Sequence, residues 1–476
     1  MENDSIQSLR SDFVPTPTFE YRKHRKIKGV TEVPAAPKIP PRGPRPFPIL
    51  LGSRVLIYEQ DPSVTDPTAQ SSSTILIRRK FLPAFVSDGP RDLRIVSAGL
   101  PVVTRNAFGD FIQTPGTDSF DAVQTFAVSR MALTMAQRAL KSLGILNPIP
   151  WQWNTGGNTE ALSVFAHGLP DTMNAFYQRT GKCLKFGDFI KPGSNPPERV
   201  FTCRSLDIVA HETGHAILDS LKPNWLNAGN PPQTGGLHES FGDMTAIFLT
   251  LTQTDLAEAI IVQTKAHLHD KTFLADLAEE FGLALGRTNG LRNADNDFKL
   301  SEVGTEVHAI SQVFTGAIYD ILADIFAFER NESTTDDAKT LINCGQYLYG
   351  LLLRSIIAAP ASGALFADIA NQMLNISLAD GKPVQYRNFI RHNFVVREVV
   401  VSSTPLTEDV TKETKLKAKA HESADKNAVQ DRSTCCGTMK LEEYLDLSRY
   451  IDDELKSWAK AQKQSENGSK KLVTEN

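Results

Sequence analysis

The apolar positions change their period along the chain. Between residues 54 and 96 they come in short β-type runs, Arg54-Val-Leu-Ile-Tyr58, Thr74-Ile-Leu-Ile-Arg78 and Leu93-Arg-Ile-Val96, separated by Pro, Ser, Asp and Gly turns. From Asp118 to Gly144 the spacing becomes helical, with Phe126, Leu133, Ala136, Leu140 and Leu143 on one stripe and Gly144 as the C-cap. A second helix starts at Ser205, an N-cap followed by Asp207 in the first turn. It runs through Ile208, Val209, Ala210, Ala216, Ile217, Leu218 and Leu221 until Pro223 stops it. A third opens at Glu239. Further helical periods span 256–267, 273–285, 308–328, 338–358 and 363–374. The pattern predicts an α+β chain, β-rich towards the N-terminus and mainly α towards the C-terminus.

The flanks differ. Residues 1–48 are charged and then proline-rich, and bury too little to fold alone; residues 401–476 are rich in Lys, Glu, Asp and Ser, with an amphipathic period from Leu441 to Ala459. This divides the chain into a tail (1–48), a β-rich lobe ending in the second helix (49–222), a helical lobe (223–400) and a polar appendage (401–476).

At 476 residues with a net charge of −4, the chain is ordinary in composition, and a chain-wide nucleic-acid role is excluded. The basic run Tyr21–Lys28 reads as a solvated tail. The start carries no signal-peptide core and no segment offers eighteen uninterrupted apolar residues, so the expectation is a soluble cytoplasmic protein without membrane partners. Five cysteines without framework spacing agree with a reducing compartment, and Cys435-Cys436 read as incidental thiols.

The chemistry concentrates in His211-Glu212-Thr213-Gly214-His215. On a helix, residues four apart share a face, so His211 and His215 project together and each offers a neutral imidazole nitrogen to a metal. Glu212 points near the same space without being a natural ligand. A hydrolytic zinc site wants three protein ligands and one open position, which calls for a third ligand downstream. Glu239 is the best candidate, and Asp243, one turn later, suits the outer partner that fixes a ligand histidine's tautomer.

This arrangement resembles the thermolysin family of zinc metallopeptidases, the gluzincins, in which HExxH is followed by a Glu-xxx-Asp helix. The resemblance extends to Asn174-Ala-Phe-Tyr177, Asp207-Ile-Val-Ala210, Leu291-Arg-Asn-Ala-Asp295 and Glu306-Val-His308, over about residues 105–400. It implies a two-lobed thermolysin-like α+β fold with the zinc helix between the lobes. It also implies one zinc per chain on His211, His215 and Glu239, with Asp243 behind them. Glu212 would be the general base towards a water activated at the metal, His308 and Arg292 would stabilise the oxyanion, and Asn174 and the Ala175 carbonyl would bind a peptide or protein substrate as an added strand. Arg287 competes with Arg292 for its place.

The departures are as informative. The family's active-site tyrosine is missing, and Trp225 is the only aromatic residue between His215 and Glu239. Of the acidic cluster that holds calcium in secreted members only Asp207 is evident, so calcium is not expected. His238 stands where the family usually has Asn, and its place is open between a partner of the metal ligands and the surface. His267 and His269 read as solvated. A zinc-binding pseudoenzyme serving as an interaction or scaffold module is the rival from another class, and an exopeptidase a second enzymatic one, without a group to capture a free N-terminus. Oligomeric state and cleavage specificity are left open.

Overall fold

Alternation sets the first strand: in β1 (Arg54–Tyr58) Val55 and Ile57 are fully buried on either side of half-buried Leu56, and β1 pairs antiparallel with β2 (Ile77–Phe81). The computed structural model describes residues 52–401, apart from 65–76, 83–85, 143, 145–147, 155, 285–289 and 332, and the backbone of 417–418. The tail, the basic run, Arg287, Cys435, Cys436 and the 441–459 period lie outside the described residues. So does most of the predicted 74–78 strand, whose described part begins β2 at Ile77.

The main sheet is mixed. β3 (Ile95–Ala98), β4 (Leu162–Leu169) and β6 (Cys183–Ile190) run parallel, while β5 (Ala175–Gln178) and β7 (Arg199–Phe201) pair antiparallel with β6. β5 ends the order β3-β4-β6-β5, which leaves its outer edge without a strand among the described residues. α1 (Asp118–Ser142) packs on this sheet with Phe126, Leu133, Ala136 and Leu140 buried, as their stripe predicts, and Gly144 follows at φ +83°.

α2 (Leu206–Leu221) carries the HExxH residues. Ser205 caps it, its hydroxyl accepting from the Ile208 N–H at 3.5 Å, and it ends at Lys222 before Pro223. α3 (Pro232–Thr250) starts two turns before the predicted Glu239, which therefore sits in mid-helix. Gly235 and Gly236 look like helix breakers, yet they are contact points: a Cβ on them would meet Val307 at 2.6 Å and Ile310 at 2.8 Å. Five further helices follow, α4 (Thr254–Thr264), α5 (Glu279–Ala284), α6 (Val307–Glu329), α7 (Asp337–Ala358) and α8 (Phe366–Ala379), and α9 (Val384–Val396) closes the series. The predicted 273–285 helix is corrected: β8 (Asp276–Leu277) pairs with β9 (Arg292–Asn293) and only α5 is helical, because Ala278 turns the chain at φ +53°.

One continuous apolar cluster runs from Val55 through the sheet, α2 and α3 to Val400. Among the described residues one helix, α6, is long and apolar enough to cross a membrane, and 78% of its apolar window is buried inside the protein.

Candidate metal centre

The centre is made where α2 crosses α3. Gly214 and Gly242 face each other there: a Cβ on Gly214 would stand 3.0 Å from the Gly242 Cα and 2.8 Å from Thr245 Oγ1. Two bare backbones bring the helices close enough for side chains of one to reach ligands of the other. His211, Glu212, His215, Glu239 and Asp243 are all buried.

His211 and His215 stand with rings nearly perpendicular, centroids 4.6 Å apart, and turn their Nε2 atoms towards Glu239 at 3.4 and 3.6 Å. These three residues offer ligand atoms within 4.8 Å of one another. Two donors each about 2.0–2.1 Å from a tetrahedral zinc stand roughly 3.3–3.4 Å apart, so the spacing fits that ion. His215 Nε2 is buried without a hydrogen-bond partner, as a ligand atom should be before its metal arrives.

Outer partners fix both imidazoles. Asp243 Oδ1 lies 2.9 Å from His211 Nδ1, so that nitrogen is the donor and Nε2 is left for the metal. Burial pulls the His211 pKa down, but the hydrogen bonds to Asp243 and Glu239 outweigh it and raise it to about 9. His215 Nδ1 meets His238 Nδ1 at 2.8 Å. Burial holds His215 well below the usual imidazole range and His238 down to about 3, so this is a pair of neutral rings, one Nδ1–H donating to the other's lone pair. His238 is therefore buried against His215 and not at the surface. Thr315, which the sequence did not single out, bonds Ser240 at 2.9 Å and Asp243 at 3.4 Å.

Glu212 lies beside the ligands without joining them. Its Oε2 is buried without a hydrogen-bond partner, and burial raises its pKa to about 7 against the Tyr177 backbone N–H, which favours the anion. Tyr177 is on β5, so the sheet's edge strand lies against Glu212. Ala175 opens that strand and Asn174 precedes it, its Oδ1 accepting the Ala175 N–H at 2.8 Å.

His308 reaches the centre from the start of α6. Glu306 caps that helix, accepting from the His308 and Ala309 N–H groups, and also takes His308 Nδ1 at 2.6 Å. The imidazole's Nε2 then points inward, 3.4 Å from Glu239 Oε2. Arg292 comes from β9, and its Nε and one amino nitrogen bind Asp243 at 3.1 and 2.6 Å, with the latter 3.2 Å from His211 Nδ1. The structure thus brings His211, Glu212, His215, Glu239, His308 and Arg292 to one place, with Arg292 held against Asp243.

No family model and no curated protein matches the chain. Among solved structures, the precursor of protealysin, a metalloproteinase from Serratia proteamaculans, overlaps it with a TM-score of 0.38 at 16% identity, covering 66% of this chain and 88% of that one. The local geometry, rather than this overlap, carries the reading below.

Trp225 does not take the place of the missing tyrosine, because its buried indole N–H is spent on the Pro360 carbonyl at 3.0 Å. One sequence reading changes. Asp207 is not a lone carboxylate. Buried Asp61 and Glu279, from distant segments, converge on it. Burial and this mutual repulsion raise the Asp207 and Glu279 pKa values well above the carboxylate range. Separations of 146 and 72 residues hide such a cluster from any local pattern.

Proposed function

We propose that the chain is a zinc-dependent endopeptidase of two-lobed thermolysin-like architecture that hydrolyses peptide or protein substrates. The observation that carries this is the buried His211, His215 and Glu239 donor set with Glu212, a carboxylate near neutrality, standing free beside it.

His211, His215 and Glu239 would hold the zinc, which when bound would supply Lewis acidity towards a water and a substrate carbonyl. Glu212 takes the proton of the attacking water and passes it to the leaving amine, a task suited to a carboxylate raised to about 7. His308 Nε2 donates to the developing oxyanion, its Nδ1 being fixed by Glu306. Asp243 and Arg292 act one step behind, keeping His211 Nε2 aimed at the metal. The outer edge of β5 offers backbone groups to an extended substrate next to Glu212, with Asn174 and the Ala175 carbonyl as its anchors.

The test combines metal analysis with hydrolysis of a peptide library by the full chain. One zinc per chain is expected, with cleavage that a chelator abolishes. Glu212→Gln should keep the zinc and lose the cleavage. Protein holding less than a tenth of an equivalent of zinc, or a Glu212→Gln variant cleaving at the parent rate, refutes the proposal.

A further inference from the structure

Three groups outside the centre converge with a donor set of their own. His269 lies in the turn after α4, Asp295 follows β9, and Asp320 is on α6. His269 Nδ1 and Asp295 Oδ1 are 2.8 Å apart, and ligand atoms of all three residues lie within 4.8 Å of one another. The turn is anchored: the Tyr319 hydroxyl donates to the Leu268 carbonyl at 2.8 Å, so His269 is held beside the helix position that carries Asp320.

We propose that His269, Asp295 and Asp320 form a second divalent-metal site, for zinc or a similar borderline ion. The imidazole is what separates this cluster from an acidic surface patch. Carboxylates alone attract any cation, whereas an imidazole nitrogen beside two carboxylate oxygens suits zinc-class ions. Calcium wants six to eight oxygens, and one of the four carboxylate oxygens here, Asp320 Oδ2, is already taken by Arg397 at 2.7 Å. The side chains of His269, Asp295 and Asp320 are 46%, 26% and 17% exposed, which gives an ion entry from solvent and leaves positions for water.

The contrast within the molecule is Asp121, His167 and Cys203, which also lie within ligand distance. There both Asp121 oxygens accept from Arg204 at 2.8 Å, and His167 Nε2 adds a third contact at 3.0 Å, so the carboxylate is spent.

A metal on the second site would join the turn after α4, the segment that follows β9 and its Arg292, and α6, whose first turn carries His308. It would thus steady two elements of the centre from outside. The site does not depend on the peptidase reading.

The test is equilibrium dialysis of the full chain against micromolar zinc, with metal analysis, comparing the parent with a His269→Gln/Asp295→Asn double variant. The parent should hold one equivalent more than the double variant, and a His211→Ala protein should keep that extra equivalent. Asp297→Asn, an exposed charge change in the same loop, should leave the parent's stoichiometry unchanged. Affinity at the second site should fall in the double variant by more than the about 10- to 100-fold that loss of an outer partner costs. Equal zinc content in parent and double variant overturns the proposal, whatever happens at His211. Loss of the extra equivalent in Asp297→Asn overturns it as well, since bulk charge alone would then explain the binding.

Discussion

Gly242 presses its bare Cα against the His211 imidazole: a Cβ there would stand 2.5 Å from Nδ1, the atom that Asp243 holds. The metal centre therefore depends on a residue with no functional group. Gly242→Ala gains about 1 kcal/mol of helix propensity, but it must displace the ring or spread α2 from α3, and overpacking of this kind costs about 1–3 kcal/mol. We expect a lower thermal midpoint and zinc affinity reduced about 10- to 100-fold as His211 leaves Asp243, measured by competition with a chelator. Parent-like zinc affinity in this variant would show that the crossing has slack.

His308→Ala should lower kcat about 10²- to 10³-fold with little change in KM, because a donor aimed at the oxyanion acts mainly in the transition state. Zinc content should be unchanged, since His308 lies outside the three-residue donor set. Steady-state kinetics on a cleaved peptide, alongside metal analysis, separates the two roles. Lost zinc with proportionally lost activity would make His308 a ligand.

The pH profile follows from Glu212. A general base must be ionised, and burial raises this carboxyl to about 7, so kcat/KM should fall as pH drops through an acid limb. A bound zinc cation would favour the anion and move that limb to the acid side of 7. A profile flat from pH 4.5 to 8 would remove Glu212 from the role.

Asp61, Asp207 and Glu279 make a stability prediction. Their folded-state pKa values are raised, so the folded state holds protons that the unfolded state has released, and stability falls as pH rises above the usual carboxylate range. Glu279→Gln removes one of the repelling charges. In zinc-saturated, calcium-free buffer the variant's thermal midpoint should exceed the parent's at pH 8, with the gap shrinking towards pH 5. A variant less stable than the parent at pH 8 would mean that the cluster's charge is in use, held by a cation.

Much of the centre was legible in the chain itself. His211, Glu212 and His215 share a helix, as do Glu239 and Asp243, and spacing within one helix sets which side chains share a face before any folding. The Ser205 cap, the α1 stripe and β1 were equally local, because each rests on hydrogen bonds and periodicity within a few residues. What the tertiary structure decided lies between segments. The meeting of Gly214 with Gly242 brings His215 and Glu239 together, the packing of α3 on α6 made helix of a Gly pair that reads as a break, and burial set His238 against His215. Asp61 and Glu279 joined Asp207, and Asp295 and Asp320 joined His269, across gaps no sequence period spans. Local pattern reports only the geometry of one element, whereas the distance between two elements depends on how closely their surfaces pack.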